Sequence, residues 1–158
     1  MSDAIKRQRA LTVFETLCAV LDRNEWKYDR DDEQLVVRFG LYTEDLPVHY
    51  IFIVDEARQM LRLASPMAFT MDESKRTEGA VAAVCATGCL RDGCFDYDLR
   101  TGRIVFRLTA SFLDSEFGEG MIHYFIRCTN AVVDHYNDKF DAINKGTMSV
   151  QEFLDSES

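Results

Sequence analysis

Hydrophobic positions recur at helical spacing over residues 4 to 23. Phe14, Leu17, Cys18 and Leu21 follow the i, i+3, i+4, i+7 rule, while Arg7, Glu15 and Asp22 lie off that stripe. This predicts an amphipathic helix that ends at the polar Asp22-Arg23-Asn24. The period then shortens toward two. Four strand-like runs follow: Trp26 to Tyr28, Leu35 to Phe39, Val48 to Val54 behind Pro47, and Arg58 to Leu63. Polar turns such as Asp29 to Glu33 and Asp55-Glu56 separate them, which predicts a meander of antiparallel strands.

From Asp72 through Gly88 the pattern is helical again, with Asp72 as an N-cap and Lys75-Arg76 in the first turns. Its apolar side is small: Ala80, Val81, Val84, Cys85 and Gly88. A helix so faced lets a neighbouring element approach closely. Ala80, Val84 and Gly88 are therefore the candidate partner-binding residues, for self-association. Next, Cys94 to Leu99 and Ile104 to Thr109 alternate apolar and polar residues across Arg100-Thr101-Gly102-Arg103, a glycine-containing hairpin loop. A long helix is predicted from about Glu116 to about Asn144, carrying Met121, Phe125, Cys128, Val132 and Tyr136 at helical spacing, with Gly146 as its stop. Ser149 stands three residues before Glu152, a capping box for one last short turn, and Asp155 to Ser158 read as a polar, mobile end.

The predicted order is thus α-β-β-β-β-α-β-β-α: an α+β chain with helices packed on an antiparallel sheet. It is expected to form one domain over residues 1–146, followed by a short polar C-terminal tail, 147–158. No internal repeat, low-complexity tract or linker divides it. At 158 residues the chain is long enough to bury about two-thirds of its unfolded surface in one core.

Charge narrows the partners. The formal net charge is −9, so the surface repels nucleic-acid phosphates and anionic lipid. The densest basic runs, Lys6-Arg7-Gln8-Arg9 and Lys75-Arg76, are short and lack interleaved aromatics. No nucleic-acid partner is expected. No stretch approaches the ~18 consecutive apolar residues of a membrane span, and Met1-Ser2-Asp3-Ala4-Ile5-Lys6 carries charge where a signal peptide needs an apolar run. A cytoplasmic protein with no membrane partner is expected. The five cysteines, Cys18, Cys85, Cys89, Cys94 and Cys128, are accordingly read as reduced thiols.

Candidate chemistry is sparse. Cys85, Cys89 and Cys94 are spaced C-x3-C-x4-C, without the two knuckle pairs of a structural zinc site. His123 and His135 are twelve residues apart on one helix, and His49 lies inside a strand. Asp29, Asp31, Asp32 and Glu33 lack the glycine and twelfth-position glutamate of a calcium loop. Asp96 and Asp98 alternate with aromatics and are expected to face solvent. Phe117-Gly118-Glu119-Gly120-Met121 has acidic residues where a phosphate cradle could not tolerate them. No catalytic, cofactor-binding or metal-binding residue is assigned.

The stretch Gly93-Cys94-Phe95-Asp96-Tyr97-Asp98-Leu99-Arg100-Thr101-Gly102-Arg103-Ile104-Val105-Phe106-Arg107 resembles the hairpin of the YbjN family, G-x-F-x-x-D-x-x-T-G-x-(I/V)-x-(F/Y)-R. With the surrounding element order, the resemblance covers roughly residues 10 to 143. It implies a fold like that of type III secretion chaperones, which are dimers that hold extended partner segments. It supplies no catalytic residues. Members commonly carry an asparagine-rich L-N-x-x-N patch in the second helix, where this chain has Ala82 to Leu90 with Cys85, Gly88 and Cys89. The function expected is a non-enzymatic, homodimeric protein-binding module with a chaperone-like or regulatory role. The alternative is a small-molecule or metal-binding sensor built on Cys85, Cys89 and Cys94.

Overall fold

A computed structural model of the chain describes residues 1–42 and 46–158. The first helix, α1 (Asp3–Arg23), is capped by Ser2, whose side chain accepts from the Ile5 N–H, and it buries Phe14, Leu17, Cys18 and Leu21 as their spacing predicts. Four strands follow: β1 (Asp29–Asp31), β2 (Val36–Leu41), β3 (Val48–Asp55) and β4 (Met60–Thr70). A 3₁₀ turn (Glu73–Lys75) leads into α2 (Arg76–Cys89). The hairpin β5 (Cys94–Asp98) and β6 (Arg103–Ser111) comes next, then α3 (Glu119–Lys145) and α4 (Val150–Ser156). Among the described residues, six strands form one antiparallel sheet in the order β1-β2-β3-β4-β6-β5. The α+β architecture and strand order along the chain match the expectation, with α4 added at the end.

Several boundaries differ, each for a local reason. The first strand is not Trp26–Tyr28 but the next three residues. The indole of Trp26 instead stacks on Phe39, with ring centroids 5.7 Å apart, where it shields the core. The turn lies after it, where the Asp31 carboxylate accepts from the N–H groups of Glu33 and Gln34. β4 runs well past Leu63, to Thr70. Pro66 hid this extension, because proline is poorly tolerated inside a sheet. It is accommodated here because the ladder to β3 stops at Ala64 and the register against β6 shifts after Pro66. α3 begins at Glu119 rather than near Glu116, with Gly118 as its N-cap, and it stops at Gly146, whose φ of 76° suits glycine.

Strand alternation divides the sheet into two unlike faces. One carries Tyr50, Phe52, Leu61, Leu63, Phe106 and Leu108, all fully buried beneath the helices. The other carries Arg38, Ile51, Ala64 and Arg107 on adjacent strands in one row, and none of them is buried. Every fully buried side chain of the sheet thus belongs to the helix-covered layer.

The last helix is tied down. Ser149 and Glu152 form the predicted capping box: Ser149 Oγ accepts from the Glu152 N–H at 3.1 Å, and Glu152 Oε2 accepts from the Ser149 N–H at 2.7 Å. Phe153 is fully buried, with its ring centroid 5.8 Å from that of Phe140 and 6.2 Å from that of Tyr136. The chain end expected to be polar and mobile is held through Glu157. Its carboxylate, only 7% exposed, accepts from the Tyr136 hydroxyl at 2.7 Å and is paired with Lys139.

Candidate protein-interaction surface

α2 is built almost wholly from small residues, and its two sides have opposite fates. The inner side consists of Gly79, Ala82, Ala83 and Ala86, all buried. A Cβ on Gly79 would lie 2.8 Å from both Met71 Cγ and the Tyr97 hydroxyl, so only glycine lets the helix sit this close to β5. Two side-chain bonds fasten it there. The Tyr97 hydroxyl donates to the Arg76 carbonyl at 2.7 Å, and Thr87 Oγ1 accepts from the Phe95 N–H at 2.9 Å.

The outer side carries the candidate residues. Val81 and Val84 are 44% and 74% exposed, respectively. Ala80 is half-buried, and a Cβ on exposed Gly88 would meet nothing within 4 Å. Ala80, Val84 and Gly88 are one turn apart and therefore share a face. The small apolar side read from the sequence is thus not the one that packs into the molecule. The helix packs inward through alanines and one glycine and turns its valines to solvent.

No family profile matches the chain, and no curated protein matches it in sequence. Its backbone does match solved structures. The structure of YbjN from E. coli, a proposed transcription regulator, superposes with a TM-score of 0.61, covering 81% of this chain and 89% of that one at 12% identity. The fold is YbjN-like. A chain from the structure of the ExsC–ExsE complex superposes with a TM-score of 0.56, covering 80% of this chain and 91% of that one at 13% identity. The α+β, type III secretion chaperone-like fold expected from the hairpin is therefore present. At such identities what is shared is the fold.

Within this YbjN-like fold the three sensor cysteines separate. Cys85 and Cys89 stand one turn apart on α2, and Cys89 Sγ is 4.0 Å from the Glu157 carbonyl. Cys94 lies on β5, with its Sγ 3.8 Å from Asp96 Oδ1. Burial raises the pKa of Cys85, reinforced by neighbouring Cys89, and burial likewise raises that of Cys94 against the opposing Arg107 charge. Both are protonated and weakly nucleophilic at neutral pH. Among the described residues no group of three or more His, Cys, Asp or Glu side chains is arranged to hold a metal ion. The convergence of these cysteines that the sensor alternative requires is not found among the described residues. Among the described residues, no helix is long and apolar enough to cross a membrane.

The histidines do not assemble a catalytic group with one another. His49 is exposed on β3, and His135 Nε2 lies 3.4 Å from Glu157 Oε1 at the end of α4. Asp96 and Asp98 face solvent as expected, and Asp96 pairs with Arg107 at 2.7 Å. The sequence reading missed the anchoring role of Glu157, because the partners Tyr136 and Lys139 come from a different helix. It took Arg62 only as part of an alternating run and Arg107 only as part of the hairpin, and passed over Arg38. Their alternation with apolar neighbours was the available signal that they share an outward sheet face.

Proposed function

We propose that the chain is a non-enzymatic, cytoplasmic protein-binding module with a chaperone-like or regulatory role, and that it works as a homodimer joined through the outer side of α2. The exposure of Val81 and Val84 on a helix of otherwise small residues carries this conclusion. Small side chains let two such helices approach closely, so burying the valines against a second copy replaces water with dense packing. One of the structures that share the fold was solved as a complex of two proteins, which supports a binding role. The raised pKa values of Cys85 and Cys94, and the scattering of the histidines, supply no activated nucleophile and fit a function without chemistry.

Light scattering coupled to size exclusion tests the dimer. The native chain is expected at twice its 18.2 kDa mass, and Ala80→Glu or Val84→Glu at the single mass. A dimer that survives both substitutions removes α2 as the contact. A native monomer removes the homodimer altogether.

A further inference from the structure

The last helix, α4, is seated in a groove that does not depend on it. Tyr136 and Phe140 of α3 line the groove. Both rings meet Phe95 of β5 edge-on, with centroids 5.3 and 5.2 Å away. α2 also packs against α4, with Cys89 Sγ 4.0 Å from the Glu157 carbonyl. The aromatic lining is therefore braced by the sheet, and α4 only covers it.

Two side chains hold α4 there, and they stand four residues apart, on one face of a helix. Phe153, the one buried residue of α4, lies nearly parallel to the Phe140 ring, at 18°. Glu157, the C-cap, accepts from the Tyr136 hydroxyl and from Lys139 and lies 3.4 Å from His135 Nε2. Lys139 serves both anchors: its Nζ is 6.0 Å from the Phe153 ring centroid and also donates to Ser156 Oγ at 3.1 Å. The link to α3 is short. The Thr147 and Met148 N–H groups both donate to the Ala142 carbonyl, and α4 starts at Val150 behind its Ser149 cap. Seven residues do not hold a helix in water on their own. With one ring and one carboxylate as its hold, α4 can leave while the rest of the fold persists.

We propose that this groove on α2 and α3 is a reversible helix-binding site with α4 as its built-in occupant. An amphipathic helical segment of a partner protein, with an aromatic residue and a carboxylate four residues later, takes the place of α4. The proposal deepens the protein-binding function above and rests on it. The occupant already present selects the chemistry. The Tyr136 and Phe140 rings receive a ring, and the Tyr136 hydroxyl and Lys139 ammonium require a carboxylate, since a segment without one leaves them unpaired. Tethered by a short link, α4 competes at an effective concentration of about a millimolar. Weak ligands are therefore shut out, and only a segment that binds better than α4 opens the site.

The test uses the full chain, native and as Phe153→Ala, and a fluorescein-labelled peptide of residues 147–158, followed by anisotropy and amide chemical-shift mapping. The Phe153→Ala chain is expected to bind the peptide saturably and at least about tenfold tighter than the native chain, whose site is filled. Shifts are expected on α2 and on residues 135–140. A peptide carrying Phe153→Ala or Glu157→Lys is expected to bind at least about tenfold more weakly. Far-ultraviolet circular dichroism checks that the variant chain is folded. Glu157→Lys, which sets a cation against Lys139, serves as a second opening variant. Hydrogen exchange needs no variant: in the native chain the α4 amides are expected to exchange at least about tenfold faster than those of β6, after correction for intrinsic rates. Several results overturn the proposal: equal protection of α4 and β6, no saturation of a folded opened chain by about 1 mM peptide, equal binding of the Phe153→Ala peptide, or a native dimer that Phe153→Ala converts to monomer, which makes α4 an arm exchanged between copies. If the peptide fails while Val84→Glu still splits a native dimer, only this groove is lost. If both fail, the protein-binding function falls with it.

Discussion

The two faces of the sheet are made by the same strands and differ only in which alternate residues they receive. On the covered face Phe106 is fully buried, with its ring centroid 5.5 Å from that of Phe95. On the open face its neighbour Val105 is half-exposed beside Pro66. One residue of offset separates a position that holds the molecule together from one that is free to meet something else. Stability is therefore concentrated on one side of the sheet, and the other can carry arginines and a shallow floor at little cost to the fold.

Phe106→Ala is expected to give the largest effect, a loss of about 3–5 kcal/mol in urea denaturation, while Val105→Ala loses under about 1 kcal/mol. Equal losses at the two positions would abolish the distinction between the faces. Gly102→Ala probes how the hairpin is joined to the run leading into α2. Gly102 has φ 74°, its carbonyl accepts from the Met71 N–H at 2.8 Å, and a Cβ there would lie 2.3 Å from the Met71 carbonyl oxygen. That substitution should cost about 1–3 kcal/mol by the same measurement.

A smaller effect is expected at α4, which adds to the covered side only. Burial pushes the Glu157 carboxyl up, but hydrogen bonds from Lys139 and Tyr136, with the Lys139 and His135 charges, outweigh it and hold the pKa below the ordinary 4.5. A carboxyl lowered in the fold contributes stability that is complete above its unfolded value and is lost as pH falls through its folded value. Hydrogen exchange at the α4 amides should therefore show lower protection at about pH 3 than at about pH 6 beyond the intrinsic rate change, and Glu157→Gln should flatten that difference. The smallest effect belongs to the open face: Arg62→Ala should change stability by no more than about 0.5 kcal/mol. A larger loss would mean that the open face is structural.

Legibility in the sequence followed how local the causes are. The β5–β6 hairpin was readable because alternation and the Thr101-Gly102 loop are contained in adjacent residues. α1, the stop at Gly146 and the Ser149–Glu152 capping box were readable for the same reason. The inner side of α2 was not, since alanine, glycine and valine all fit either side of a small-faced helix. The choice was made by Met71 and Tyr97, which leave no room for a side chain at Gly79. The length of β4 was obscured by Pro66, and the anchoring of the chain end depends on Tyr136 and Lys139 in α3. Of the candidate site, the shared face of Ala80, Val84 and Gly88 was legible from one-turn spacing, while its exposure was decided by packing elsewhere.

The bond from the Phe95 N–H to Thr87 has a consequence for how the protein behaves when concentrated. A sheet ends in two strands whose outer backbone groups invite further strands, the first step toward fibrils. Here α2 lies along β5 and occupies one of those groups, and at the opposite end β1 is only Asp29-Arg30-Asp31, short and charged throughout. Both growth points are blunted. Because the block on β5 is a helix rather than a strand, conditions that melt α2 before the sheet should expose that edge and favour cross-β aggregation.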